Sequence, residues 1–424
     1  MKYLLLLSLT LPLLASCAGL TLPTPPITPD ASATSTLASP PTLEATQVPA
    51  APTTLQVWVP PQFDPTNGTP AGNLLQTRLD EFARNAEVRI EVRTKAMDGP
   101  GGLLDSLSAA NAAAPLALPD LILLSRHQLE IAALKGLLSP YDNLITPLDE
   151  EDWYPYAQQL ARLQDSTYGL PFAGDGLVLI YRPARVSQPP VDWPSTLTLA
   201  QPLVFPAADE QALFTLAQYL ADGAPVEDSE GRPALEPVAL TDVLTFFRDA
   251  EAADVMPFWI TQFSTDDQAW EAYTEQRADQ VIAWTSRYLG DLPGDSDAQA
   301  IPTADGEAFT LTDGWVWALA NPQVERHALS VELARHLTEG DFLAEWTAEA
   351  GFLPPRASAL KGWPNMRLRD LVGKIVQSAQ IIPANDLMAV IGPALQQATV
   401  DVLKGQSDPA TAARQAANSL AAPQ

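Results

Sequence analysis

The sequence predicts an α/β fold, and three observations carry the prediction. Strand-like and helix-like runs alternate at βα spacing, one strand is apolar at every position, and helical periodicity fills most of residues 323–417. The folded part opens at Leu55–Val59, a strand-like run stopped by Pro60 and Pro61. A helical pattern follows from Asn73, with Leu75, Leu79 and Phe82 on one face. Val88, Ile90 and Val92 alternate with Arg89, Glu91 and Arg93, which is the two-residue repeat of a second strand. A helix is expected over 103–113, and Leu121–Leu124 forms the all-apolar third strand. Such a strand suits a mainly parallel sheet with helices on both faces. The helix over 126–134 stops at Gly136, and 168–183 reads as one long extended stretch. Further strands are expected at 203–205, 280–284 and 315–319, with helices near 209–221, 239–252 and 266–277. The helical remainder breaks at 351–355 and 362–364, and the chain has no internal repeat.

Composition narrows the function. With 24 Lys+Arg against 51 Asp+Glu, the net charge of -27 repels nucleic acid and anionic lipid headgroups. Three histidines leave no histidine-rich metal site, and His327 and His336 lie half a helical turn out of register. Asp98–Gly102 is glycine-rich but lacks the Lys-Ser/Thr of a phosphate loop, and no Gly-x-Ser-x-Gly elbow occurs. The sequence therefore points to no catalytic residue, no metal and no cofactor. Cys17 is the single cysteine, so no disulfide staples the fold, and a domain of this size can do without one. Ahead of it, Lys2 and the apolar run Tyr3–Leu14 have the make-up of a signal peptide and are too short to span a bilayer. Residues 18–53 are mostly Pro, Thr, Ser and Ala with Asp30 and Glu44 as their only charges, and read as a semi-extended tether.

Leu14-Ala15-Ser16-Cys17 resembles the lipobox of bacterial lipoproteins. That resemblance implies a cleaved leader over 1–16, lipidation at Cys17 and a lipid-anchored tether over 17–53. The rest resembles the extracellular solute-binding proteins of ABC importers, of the type that includes maltodextrin and other sugar binders. Five stretches carry this in the family's order: Leu55–Val59; Asp120-Leu-Ile-Leu-Leu-Ser-Arg with Gly136-Leu-Leu-Ser-Pro; Tyr168-Gly-Leu-Pro-Phe; Gln280-Val-Ile-Ala-Trp-Thr-Ser; and Gly351-Phe-Leu-Pro-Pro-Arg. The resemblance implies a two-lobe, type II periplasmic-binding-protein fold with hinge crossover strands and a helical C-terminal region. Lobe one is expected over 54–180 and lobe two over 181–312. Residues 313–424 would hold the return crossing and helices shared between lobes. The implied function is an extracytoplasmic, membrane-anchored receptor that takes a small solute, carbohydrate first, and hands it to permease subunits. A secreted carboxylate-dependent glycoside hydrolase, or a sensor or scaffold on the same fold, is the alternative.

In α/β folds, ligands sit beyond the carboxyl ends of strands, and sugars need aromatic faces plus hydrogen-bonding side chains. This rule selects Gln62, Phe63 and Asp64 after the first strand, and Ser125 and Arg126 after the third. Trp284, Ser286 and Arg287 end a later strand, Trp315 flanks the return crossing, and Phe352 and Arg356 border the late turn. Trp315 and Trp317 are expected on opposite sides of their strand, leaving one for the cleft. Trp259 lies in an aromatic loop segment. Asp175 lies in the first crossing, where the resemblance implies an acidic acceptor for solute hydroxyls.

Overall fold

The computed structural model describes residues 53–421, apart from 143, 146, 147, 149 and 200. Cys17, the leader and nearly all of the tether lie outside the described residues. The strands are β1 (Thr54–Val59), β2 (Arg89–Thr94), β3 (Leu121–Ser125), a small hairpin of β4 (Arg162–Leu163) and β5 (Ser166–Thr167), β6 (Gly169–Tyr181), β7 (Leu203–Val204), β8 (Gln280–Trp284), β9 (Asp297–Gln299), β10 (Thr310–Leu319) and β11 (Ala379–Ile381). The first nine helices are α1 (Pro70–Asn85), α2 (Leu103–Ala113), α3 (Arg126–Leu134), α4 (Pro155–Ala161), α5 (Trp193–Thr196), α6 (Leu213–Ala221), α7 (Pro237–Ala252), α8 (Asp266–Thr274) and α9 (Thr285–Asp291). They are followed by α10 (Val324–Leu337), α11 (Gly340–Ala350), α12 (Ala357–Lys361), α13 (Met366–Ser378), α14 (Asn385–Leu403) and α15 (Pro409–Ala421).

One sheet runs β2-β1-β3-β10-β6-β8-β7, with β11 on β10 and β9 on β6. It is mixed, where a mainly parallel sheet was expected. β1 pairs parallel with β2 and β3, and β7 with β8, but β10 runs antiparallel to β3 and β6. The cause lies in β6 and β10, which pass from one half of the sheet to the other in opposite directions. β6 is buried along its whole length; its first part pairs with β10 and its last five residues, Leu177–Tyr181, pair with β8. All-apolar strands thus belong both to parallel strands under helices and to these crossing strands, and periodicity alone does not separate them.

Strand alternation sorts the core of the first half. Leu55, Val57, Leu121, Leu123 and Trp317 face α1, α10 and α11, while Trp58, Ile122, Leu124 and Val316 face α2, α3 and α4. Each fully buried Leu or Ile is worth about 1.5–3 kcal/mol. Asp120, only 1% exposed, clips this half together. Its carboxylate accepts from Gln56 N (2.7 Å), Asn321 Nδ2 (2.9 Å) and both Arg326 Nε (2.5 Å) and Nη2 (2.6 Å). The clip joins β1, the start of β3 and α10. In the second half, α14 and α15 pack against α7, and α6 against α14.

The crossing is kept thin by glycine. Gly174 and Gly314 lie opposite one another, and a Cβ at Gly174 would meet the Tyr156 ring and hydroxyl at 2.7 Å. At Gly314 it would meet the Ala173 carbonyl oxygen at 2.4 Å. Tyr156 of α4 therefore lies directly on the crossing strands, with its hydroxyl donating to Pro354 O (2.9 Å). Gly174→Ala should cost about 1–3 kcal/mol of stability by overpacking against Tyr156. Urea unfolding measures it, with Gly290→Ala, where no atom lies within 4 Å of the new Cβ, as a control that gains up to about 1 kcal/mol from helix propensity alone.

Candidate functional site

The carboxyl ends of both parallel strand sets point at the crossing. Ser125, the last residue of β3, pairs with Trp315, and Trp284, the last residue of β8, pairs with Leu177. This is where ligands sit in α/β sheets. A cavity of about 270 Å³ opens here, walled by Arg126, His127 and Glu130 of α3, the Glu210–Gln211 turn, Asp313 of β10, and Asn385 and Met388 of α14. A larger groove of about 740 Å³ lies elsewhere, on Trp153, Leu170, His336 and Arg356, and none of the strand-end residues lines it.

Two carboxylates dominate the crossing. Asp313 and Asp175 are direct cross-strand partners, so their side chains leave the strands on the same face. Asp175 is 6% exposed and caps the start of α9, accepting from Thr285 Oγ1 (2.6 Å), Ser286 N (3.0 Å) and Ser286 Oγ (2.5 Å). Burial pushes its pKa up to about 6, and the bonds from Ser286 and Thr285 hold it from rising further. Asp313 accepts from the backbone N–H of Gly314 (2.7 Å) and Arg126 and is likewise pushed up by burial to about 6. Neither carboxylate forms an ion pair among the described residues.

The wall from α3 is cross-linked to α14. Arg126 pairs with Glu130 (2.9 Å) and donates to the carbonyls of Gln159, Leu160 and Arg162 at the end of α4. Burial lowers its pKa. Glu130 also accepts from Asn385 N (2.9 Å). The Asn385 side chain donates from Nδ2 to His127 O (2.9 Å), and its Oδ1 accepts from His127 Nδ1 (2.6 Å). The opposite wall is a tight turn: Ala212 takes a left-handed φ of 47°, and Asp209 accepts from Gln211 N (3.1 Å). The turn lies against α14 backbone to backbone, because a Cβ on Gly392 would meet Glu210 O at 2.5 Å.

The profile of the bacterial extracellular solute-binding proteins matches residues 77–366. The chain belongs to that family. Its members are binding proteins, not enzymes, which sets the hydrolase alternative aside. Solved structures show the same fold. The cyclic α-maltosyl-1,6-maltose binding protein of Arthrobacter globiformis superposes with a TM-score of 0.72 at 16% identity, covering 87% of this chain and 98% of that one. The sugar-binding protein MalE of Xanthomonas citri gives 0.69 at 19% identity, with 87% and 98% covered. An ABC transporter solute-binding protein of Thermotoga lettingae bound with α-D-tagatose gives 0.65 at 20%, again with 87% and 98% covered. A comparison with curated proteins returns no match.

Within this solute-binding protein, the residues selected from sequence fall into three groups. Asp175 and Ser286 are hydrogen-bonded to each other beside Trp284, and Ser125 and Arg126 stand at the α3 wall. Ser125 is occupied as the cap of α3, its hydroxyl accepting from Gln128 N (3.3 Å). Phe63, Trp315 and Phe352 pack on one another and on Trp346 and Phe172, with Phe63 only 2% exposed. Trp315 keeps a buried indole N–H without a partner. Trp315 and Trp317 share this side of the strand, contrary to the expectation of opposite sides; residues two apart on a strand point the same way. Of the selected residues only Arg126 lines the cavity, and the remaining candidates lie away from it. Gln62 is exposed, Asp64 accepts from Thr66 N (2.8 Å) in a local turn, and Trp259 packs edge-on to Phe263. Arg287 is tied to Asp266 (2.8 Å) and Asp267. Arg356 stacks over Trp153 at 3.7 Å, donates to Thr338 O (2.8 Å) and pairs with Glu150 (2.5 Å) and Asp152 (3.3 Å).

His127, Glu130, Glu210, Asp313 and Asn385 line the cavity and were not selected from sequence. Asp313 had one weak signal, an acidic residue two positions before Trp315 at the return crossing.

Two outcomes follow from these placements. The buried carboxyl of Asp175 binds its proton more tightly folded than unfolded, so its contribution to stability is best below about pH 4 and falls as pH rises to about 6. Asp175→Asn should flatten that part of the stability profile, read by urea midpoints across pH 4–7. Arg356→Met should cost about 2–3 kcal/mol by stranding partners of the guanidinium, yet leave solute affinity unchanged in calorimetry.

Proposed function

We propose that this chain is the receptor of an ABC importer, capturing a small polar solute between two lobes that close by hinge motion. The observation that carries the reading is the cavity beside the crossing, walled by α3 directly after the end of β3, by Asp313 of β10, by the Glu210–Gln211 turn and by α14. We place the lobes at 54–180 and 181–312, with 313–424 contributing to both, and the hinge where β6 and β10 pass between them. Hinge closure around a ligand is a standard device of such receptors. Carbohydrate is the first class to test, supported by the similar structures of a cyclic α-maltosyl-1,6-maltose binding protein and of a solute-binding protein bound with α-D-tagatose. The cavity of about 270 Å³ lies just under the roughly 300–1,000 Å³ of drug-sized sites, which favours one sugar ring over a long oligomer. Asp313, the α3 wall and Asn385 are the contacts we assign to it, with Asp175 and Ser286 behind them at the crossing.

Cys17 supplies the membrane link in this reading, and residues 18–53 the reach. A single acyl chain binds a bilayer only marginally, so the anchor would need two or more. Holding the receptor at the membrane raises its effective concentration at permease subunits without new contacts.

A bound solute should raise the unfolding free energy by about 2.7 kcal/mol at a hundredfold excess over Kd. A thermal-shift panel of monosaccharides, disaccharides, polyamines and amino acids, followed by small-angle scattering for compaction, tests capture and closure together. Silence across the panel would sink the receptor reading. Cys17→Ala should release the protein from the membrane fraction and leave solute binding intact.

A further inference from the structure

We propose that Asp313 makes the cavity selective for a solute carrying a protonated amine, whose ammonium sits against the Asp313 carboxylate with Glu210 on the facing turn. The inference rests on the receptor reading above and names the chemistry of the same site.

Charge supply comes first. The cavity presents Glu130, Glu210 and Asp313 against the single guanidinium of Arg126. That guanidinium is already committed to Glu130 and to carbonyls at the end of α4. Glu130 in turn is occupied by Arg126 and Asn385 N. Arg126 and His127 act on Asp313 only from beyond ion-pair distance, so among the described residues no cation is in direct contact with it.

Placement comes second. Like charges directly opposite each other on paired strands are destabilising, yet Asp313 faces Asp175 in register. Asp175 spends its acceptors on Thr285 and Ser286. Asp313 has only backbone donors, and an ionised carboxylate offers about four acceptor positions. Free lone pairs of a poorly hydrated carboxylate thus open onto a cavity. A compact cation with three N–H donors, as an ammonium has, would fill them and offset the repulsion at once.

The aromatic surface comes third. Apart from His127, whose ring is held by Asn385, no ring lines the cavity among the described residues. Phe63, Trp315 and Phe352 are stacked on each other and on Trp346. Gly392 of α14 lets the Glu210 turn close in, with no space there for a side chain. Ring stacking therefore contributes little here, and charged hydrogen bonds must carry recognition.

The test is calorimetric titration of matched pairs: glucosamine against glucose, galactosamine against galactose, and putrescine beside maltose. At least one amine should bind on the order of tenfold or more tighter than its neutral counterpart. Asp313→Asn keeps the backbone contacts, so it should erase that margin while raising the melting temperature of the free protein. A merely structural Asp313 would instead lower it. Glu210→Gln, at an exposed position, gives a smaller loss and covers the case of a misfolded Asp313 variant. Equal binding of neutral sugars, or an amine preference that survives both variants, overturns the inference and leaves the receptor reading standing. No binding by any of the six compounds overturns both.

Discussion

The antiparallel pairing of β6 with β10 is the constraint on which the rest depends. It is the seam through which one continuous sheet serves two halves, and it fixes where the strand ends of each half meet. Backbone hydrogen bonds supply the pairing, but its shape comes from Gly174 and Gly314, which let Tyr156 of α4 press onto the strands. A buried backbone must find all its partners internally. At the seam Gly174 does so on its outer edge with Leu353, donating N–H to its carbonyl (2.9 Å) and accepting in return (2.7 Å). The late Gly-Phe-Leu-Pro-Pro-Arg turn is thereby a third thread at the crossing.

Much of this architecture is legible in the sequence. The helices at 103–113 and 126–134 and the strand at 280–284 coincide with the observed elements, because each is a strongly periodic run with clear stop signals. What failed shares one cause. α4 is only seven residues long, β11 three, and the direction of β6 and β10 depends on partners far away in the chain. Short elements and strand polarity have no local signature. The candidate site divides the same way. Ser286 was found because strand ends are local features, and Asp175 through the resemblance of the crossing segment. Asp313 and Asn385 reach the cavity only through long-range pairing, and Arg356 was chosen by proximity to a turn that points it elsewhere.

The aromatic residues carry a related lesson. Phe63, Trp315 and Phe352 come from three distant stretches, as a sugar platform would require, and they do meet. They meet each other. The cluster buries large apolar area inside the first half, where Phe172 and Trp346 extend it. Aromatic side chains bury so much surface that packing competes with ligand binding for every one of them. What remains for a solute at the crossing is chiefly polar and acidic.

The bonds from Asn385 to His127 and Glu130 bear on kinetics. They join α3 and α14, helices of opposite halves, along the wall of the cavity. In a receptor that opens to load, each net hydrogen bond of about 0.5–1.5 kcal/mol must be given up first. Three such bonds would add about 1.5–4.5 kcal/mol to the cost of separating the two helices. To whatever extent opening breaks them, observed affinity is scaled down and capture is slowed. The same contacts delay escape once a solute is inside. A receptor built this way trades quick sampling of its surroundings for long retention, a sensible bargain where the solute is scarce and the permease is close at hand.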